Sequence, residues 1–377
     1  MRVVVLGGAG DVGSRAVEDL AATTGVSQVT IADRRVDAAE HVARRARRPE
    51  GAEVRVTPVD ATDHRRLVDA VRGHDVAASA LGPFHKFEVR LVAAALDAGV
   101  DYASVCDEWD AAEAVMEQFG AQAEGAGRTV VPGLGVSPGL TNLAARFFRE
   151  EMGELSRVRI SVYQPLTAGG GEAVLEHMLF IMDGHVAVWR DGERRMVRAC
   201  SEEHSVDFPR FGRIRLWNMG HAEPVTLPRH LGGLRDCDFF MGFGPGSEWL
   251  VRPARFGAFG SRRRRDVIAR LLDRLERAER RFGGRSAPDP GAVRIDVWGR
   301  GDGSPERRMA CGVGEMRDAT GLALSVGTLM LGRRDGITRT GGVLPPEASL
   351  DPRRFFELMR DKGLVGHRDL AETEPLV

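Results

Sequence analysis

The sequence predicts an α/β protein: a doubly wound parallel sheet joined to a second α/β domain. Three observations predict it. Apolar runs and helical stripes alternate through the first third of the chain. The first run breaks off at a dense glycine turn. From Arg157 onward, apolar residues alternate singly, as in strands with one solvated face.

Val3-Val4-Val5-Leu6 reads as a strand buried on both faces, and Gly7-Gly8-Ala9-Gly10-Asp11-Val12-Gly13 turns it into a helix. Val29-Thr30-Ile31-Ala32 is the second strand, and it stops at Asp33. Asp37 to Ala46 follows as a short helix, Glu53 to Val59 as a strand, and Leu67, Val68 and Val71 as a helical stripe. Val76 to Ala80 is a small-residue strand ending at Leu81-Gly82-Pro83. Leu91, Val92, Ala95 and Leu96 line a helix closed by Gly99, a C′ glycine. Tyr102 to Val105, the helix Trp109 to Glu124 and the strand Thr129-Val130-Val131 complete the series. Strands separated by helices in this way pair in parallel.

The opening unit carries chemistry. Strand, G-x-G-x-x-G turn, helix, strand and acidic residue are the parts of a Rossmann βαβ unit that binds a dinucleotide. Gly8 serves the tight turn, Gly10 the approach of a pyrophosphate, and Gly13 the packing of helix on strand. Asp11 and Val12 open the helix, whose N–H groups face the phosphates. Asp33, twenty residues after Gly13, is placed to bind the adenosine ribose and to repel a 2′-phosphate, while Arg34 or Arg35 would attract one. The balance favours NAD, with NADP as the alternative. Asp60 ends the third strand and either reaches the adenine or caps the next turn. Ligands lie at the carboxyl ends of such strands, so Ala80, Gly82 and Pro83, Cys106-Asp107-Glu108 and Pro132 to Gly139 are expected to face the cofactor.

The boundary is set at 135/136, giving a nucleotide domain of residues 1–135 and a substrate and dimerisation domain of 136–377. The C-terminal segment of about 345–377 is expected to pack back on the first domain. A helix with Leu143, Phe147 and Phe148 opens the second part, and Val158 to Tyr163, Arg213 to Trp217 and Val293 to Trp298 are strands of an antiparallel or mixed sheet under helices. Ser261 to Phe282 reads as a solvated amphipathic helix under the run Arg262 to Arg265, and Trp189, Trp217, Trp249 and Trp298 as core residues.

Composition narrows the class. With 53 basic and 54 acidic residues the net charge is −1, so no global field recruits nucleic acid. The apolar runs are too short to span a bilayer, and the N-terminal run is too short for a signal peptide. Cys106, Cys200, Cys237 and Cys311 are scattered without a CxxC pair, which suits a reducing cytoplasm and offers no zinc motif. No HExxH, GxSxG or P-loop occurs, and neither tyrosine has a lysine four residues on.

Val5 to Gly13 with Asp33, Val59-Asp60-Ala61-Thr62-Asp63, Leu81-Gly82-Pro83-Phe84 with Ala98 to Tyr102, and Gly135-Val136-Ser137-Pro138-Gly139-Leu140-Thr141-Asn142 follow one another in an order that resembles the saccharopine dehydrogenase family. Thr320-Gly321 and Gly342 to Glu347 are similar to the family's C-terminal ending. The resemblance implies a homodimer that exchanges hydride between NAD(P) and a carbon bearing nitrogen, in an amine, an amino acid or the corresponding imine. His85 stands where many relatives carry an aromatic residue.

Candidate catalytic groups are few. Asp107 either stabilises a substrate ammonium or iminium or caps the helix that begins at Trp109. His85 and His221 are the proton-transfer candidates, since imidazole titrates near neutrality, and Lys86 is a weaker nucleophile candidate. Phe84, Ser137, Thr141 and Asn142 are expected to contact substrate, with helix capping as the ordinary role of the last three. A dehydrogenase of alcohols, sugars or specialised metabolites, or an NAD(P)-binding protein without turnover, remains the alternative reading.

Overall fold

In the computed structural model, residues 1–166, 171–261, 263–271, 274, 289–301 and 304–377 are described. They form two compact units, Met1–Leu143 with Arg317–Leu364, and Ala144–Met316 with Val365–Val377. The sequence reading set its boundary at 135/136; the change of unit falls at Leu143/Ala144.

The first unit holds a seven-stranded sheet ordered β15-β6-β5-β4-β1-β2-β3, all pairs parallel. β1 (Arg2–Leu6), β2 (Gln28–Asp33), β3 (Glu53–Pro58), β4 (Val76–Ser79), β5 (Asp101–Ser104) and β6 (Thr129–Val131) are the six strands of the sequence reading. The seventh, β15 (Gly342–Val343), is too short to show a period and pairs beside β6. β1 is central: Val4 lies between Thr30 of β2 and Ala77 of β4, and Val3, Val4 and Val5 are wholly buried. Burial on both faces explains the unbroken apolar run.

α1 (Asp11–Ala22) and α2 (Val36–Ala46) pack together, as do α3 (His64–Val71), α4 (Phe84–Asp97) and α5 (Trp109–Gly125). The helix Met316–Arg333 runs beside α1. A Cβ on its Gly321 would meet the Arg15 side chain at 2.7 Å, and its Ser325 hydroxyl donates to Asp19 at 2.6 Å. Gly99 takes φ 69° after α4, the left-handed value expected of a helix-ending glycine.

The second unit is built on a mixed sheet ordered β10-β11-β12-β7-β13-β14. β7 (Leu155–Tyr163) and β12 (Asp236–Gly242) pair in parallel, whereas β13 (Gly291–Gly301) runs antiparallel to β7 and to β14 (Ser304–Gly314). β10 (Glu203–Phe208) and β11 (Gly212–Asn218) extend the sheet past β12, and the hairpin of β8 (His185–Arg190) and β9 (Glu193–Arg198) joins at Cys237. Val158, Ile160, Ile295, Val297 and Phe239 turn to one face and are buried.

One expectation needs correction. Trp217 is buried, but Trp249 is 60% exposed, because it falls on the outer side of α9 (Glu248–Arg255). The amphipathic helix is seen at residues 263–271; Arg262 and most of 272–288 lie outside the described residues.

Candidate functional site

The glycine turn lies at the carboxyl end of β1, where the strand order reverses between β4 and β2. The tight turn belongs to Gly7, not Gly8: Gly7 alone in the turn has a positive φ, 75°, and its Cβ position is 2.9 Å from the Leu81 Cα. Glycine at 8 answers to packing, since a Cβ there would sit 3.1 Å from both the Ile31 methyl and the Val5 carbonyl. At Gly13 a Cβ would run into the Gly7 carbonyl oxygen and lie 2.9 Å from the Gly8 Cα. Gly10 differs. Its φ is −81° and ψ 172°, open to any residue, and a Cβ would meet only the Gly7 oxygen at 3.3 Å and the Arg35 guanidinium at 3.8 Å. The protein's own packing requires Gly7 and Gly13, whereas the bare Gly10 leaves room outside.

Gly10 is the N-cap of α1, and no side chain caps that end. The first N–H groups of α1 are therefore offered outward together with the positive end of the helix dipole. Asp11 is exposed and Val12 half-buried. A diphosphate fits this cradle.

Asp33 is buried at the end of β2; one oxygen accepts from the Ala9 N–H at 3.1 Å and the other from the Arg35 N–H at 2.9 Å and its Nε at 3.4 Å. The carboxylate is thereby held against the turn. Arg35, rather than Arg34, is the guanidinium at the turn. Arg34 is exposed and acts electrostatically on Asp60. Asp60 accepts from the Thr62 N–H and hydroxyl at 2.9 and 2.8 Å, and these bonds hold its carboxyl below the usual range. Asp63 is the N-cap of α3, so Asp60 shapes the turn before it.

Ala80 and Gly82 are half-buried in the loop after β4, and Pro83 caps α4, whose first residue, Phe84, is 9% exposed. The Ala80 N–H donates to Leu6, tying this loop to β1. Across from it, Glu108 is wholly buried and accepts from the His85 backbone N–H at 2.5 Å and faces its Nδ1 at 2.7 Å. Asp107 is half-buried beside it. Within the next loop, the Leu134 N–H donates to Ser104 at 2.7 Å. Ser137 is half-buried in the wide turn Val136–Leu140 and accepts from the Thr141 hydroxyl at 3.4 Å, while Thr141 and Asn142 at the start of α6 (Thr141–Met152) are buried. None of the three caps that turn with its side chain.

His221, expected on a loop beside Glu223, belongs to the second unit and is 4% exposed. Its Nδ1 lies 2.5 Å from Glu223, the first residue of α8 (Glu223–His230), and its ring stacks on Phe239 at 3.9 Å.

Beneath the His85–Glu108 pair is a group that sequence reasoning missed. Glu88 of α4 is fully buried, accepting from Tyr102 at 3.0 Å and Ser104 at 2.5 Å. Ser104 in turn accepts from the Cys106 N–H at 3.4 Å, so this hub braces the loop that carries Asp107. The signal was present: Glu88 occupies the same helical stripe as Leu91, Val92 and Ala95.

Burial pushes the Glu88 carboxyl up to about 7, the charges of Glu108 and Asp107 adding to the rise. A carboxyl whose folded pKa exceeds its ordinary 4.5 favours folding fully below that pH, and the contribution is lost as pH climbs toward 7. Glu88→Gln keeps the shape without the charge. It is expected to gain about 1–3 kcal/mol over the parent at neutral to alkaline pH relative to acid. Urea titrations at both ends of that window measure it; a pH-independent difference contradicts it.

No helix among the described residues is long and apolar enough to cross a membrane. Residues 3–131 match the family model for the saccharopine dehydrogenase NADP binding domain. Across the whole chain the fold is similar to that of saccharopine dehydrogenase (L-Glu forming) from Saccharomyces cerevisiae, at 15% identity and a TM-score of 0.68, with 96% of this chain and 98% of that one covered. Looser matches are a meso-DAPDH mutant from Clostridium tetani (11% identity, TM-score 0.48, 96% and 99% covered) and the amine dehydrogenase from Mycobacterium smegmatis (12%, 0.46, 93% and 96%).

Proposed function

We propose, for a chain whose residues 3–131 match the saccharopine dehydrogenase NADP binding domain, that it is a nicotinamide-dependent oxidoreductase acting on a carbon–nitrogen bond of an amine, amino acid or imine. The observation that carries the choice of nitrogen is the crowding of carboxyls after β5, against Glu88 of α4. Glu108 and Asp107 raise the buried Glu88 electrostatically, and Asp110 is raised by burial and then by Glu108. Such an edge favours a cation. An ammonium or iminium is cationic; an alcohol or ketone is not.

Bound at the glycine cradle, a nicotinamide dinucleotide supplies the hydride chemistry. The chain's own residues do the rest. Gly10 and the α1 N-terminus receive the diphosphate, and Asp33 fixes the ribose. Asp107 stabilises positive charge developing on the substrate nitrogen and carbon. Glu108 holds His85 by Nδ1, so that a proton is exchanged through Nε2. Orientation and electrostatics are thus the protein's share of the catalysis.

The buried Asp33 carboxylate supports NAD as the working coenzyme. The test is a spectrophotometric screen of amines, amino acids and diamines against secondary alcohols with each coenzyme. Expected is reduction of NAD by a nitrogen-bearing substrate, with a KM for NAD below that for NADP. A tenfold preference for NADP overturns the coenzyme assignment; turnover of alcohols alone overturns the substrate class.

A further inference from the structure

The mixed sheet of the second unit buries an apolar face, and its other face carries charge. Register places Asp238, Arg159 and Asp296 side by side on β12, β7 and β13, with Arg157 beside Trp298 and Arg307 in the adjoining row. Three guanidiniums converge on one indole: Arg157, Arg159 and Arg307 lie 5.3, 5.7 and 5.2 Å from the Trp298 ring centre. Arg159 also lies 5.7 Å from the Phe240 ring.

The flanking carboxylates are already engaged. Asp238 pairs with Arg190 at 3.0 Å, and Asp296 with Arg294 and Arg307 at 2.9 and 2.8 Å. Among the described residues no carboxylate lies within ion-pair distance of Arg159, and its buried Nε has no hydrogen-bond partner. Two residues on along the same face of β7, the Ser161 hydroxyl is wholly buried and equally unpartnered. The positive potential registers on a neighbour. His204, whose ring is 5.3 Å from Phe240, is pushed down to about 4 by burial and then by the Arg159 charge, with Asp296 opposing and Arg294 and Arg157 assisting.

A guanidinium half removed from water without a counter-ion is costly, and stacking on aromatics recovers only about 0.5–2 kcal/mol. We propose that Arg159, with Arg157, Arg307 and the Ser161 hydroxyl, forms a site for an oxyanion, a carboxylate or phosphate group, on this sheet face. A planar guanidinium binds such a group in two parallel bonds. The oxyanion comes either from a small free ligand or from an acidic side chain of a second copy of this chain.

The test titrates the full-length protein with inorganic phosphate in phosphate-free buffer, by calorimetry, beside Arg159→Leu and Arg159→Lys. Sedimentation velocity is run in parallel on the parent and Arg159→Glu, with circular dichroism confirming folding. Saturable binding that weakens at least roughly tenfold in the leucine variant, and less in the lysine variant, supports a free ligand. A parent dimer indifferent to phosphate but dissociated by Arg159→Glu supports the carboxylate of a second copy. Equal phosphate binding by parent and leucine variant, together with unchanged sedimentation of Arg159→Glu, overturns the site.

Discussion

Gly10→Val is expected to leave the protein folded while weakening NAD(H) binding by about 100-fold or more. The dihedral angles at Gly10 suit any residue, and a Cβ there meets one oxygen at 3.3 Å. The internal cost is therefore about 1 kcal/mol, the scale of a changed N-cap. Outside, the added side chain occupies the place from which a diphosphate reaches the α1 N–H groups, and each charge-assisted bond lost there costs about 1.5–3 kcal/mol. Gly13→Ala loses binding by a different route. Its methyl group would collide with the Gly7 carbonyl and crowd the Gly8 Cα at 2.9 Å, so the turn must open and stability falls by several kcal/mol, roughly the cost of a severe backbone conflict. Calorimetry paired with urea titration separates the two. A Gly10 variant that binds like the parent would show that the turn is only structural.

Asp107→Asn is expected to bind coenzyme like the parent and to lose about 10²–10³ in kcat, the magnitude seen when one charge-stabilising group is removed from a reacting centre. The substitution conserves volume and hydrogen-bonding reach, so the loss reports charge. Asp107 follows β5 next to the buried Glu108, in a loop braced by Ser104 and Glu88. An amide there no longer favours a cationic carbon. Single-turnover measurement of hydride transfer on the substrate found in the screen decides it; unchanged turnover removes Asp107 from the mechanism, and the N-cap position of α5 belongs to Glu108, not to Asp107.

The sheet was legible wherever the chain repeats a local period. β1 carries an unbroken apolar run from Val3 to Leu6 and β2 a mostly apolar one from Val29 to Ala32 because both faces are covered, and α3 and α4 show stripes ended by Arg72 and Gly99. β15 was not legible: two residues, Gly342 and Val343, carry no pattern, and their place beside β6 is fixed by tertiary pairing. The glycine motif pointed to the right turn but to the wrong residue within it. Gly7 bears the positive φ because Leu81, distant in sequence, closes on it.

Site residues divided the same way. Asp33, Gly82 and Asp107 could be placed because each ends or follows a strand. Glu88 escaped notice, hidden in an apolar stripe, while Glu108 was expected only as part of a loop facing the cofactor, at a helix start where an acid is ordinary. Only packing joins His85 to Glu108 and Tyr102 to Glu88. Trp298 was read as core, yet three arginines over its ring put it on a charged face.

Titration calorimetry of the unmodified protein with NADH and with NADPH bears most directly on the cradle. Saturable binding of one molecule per chain, with a dissociation constant of about 1–100 µM and tighter for NADH, is the result expected from Gly10, Asp33 and the uncapped α1. Absence of measurable affinity for either coenzyme would contradict it.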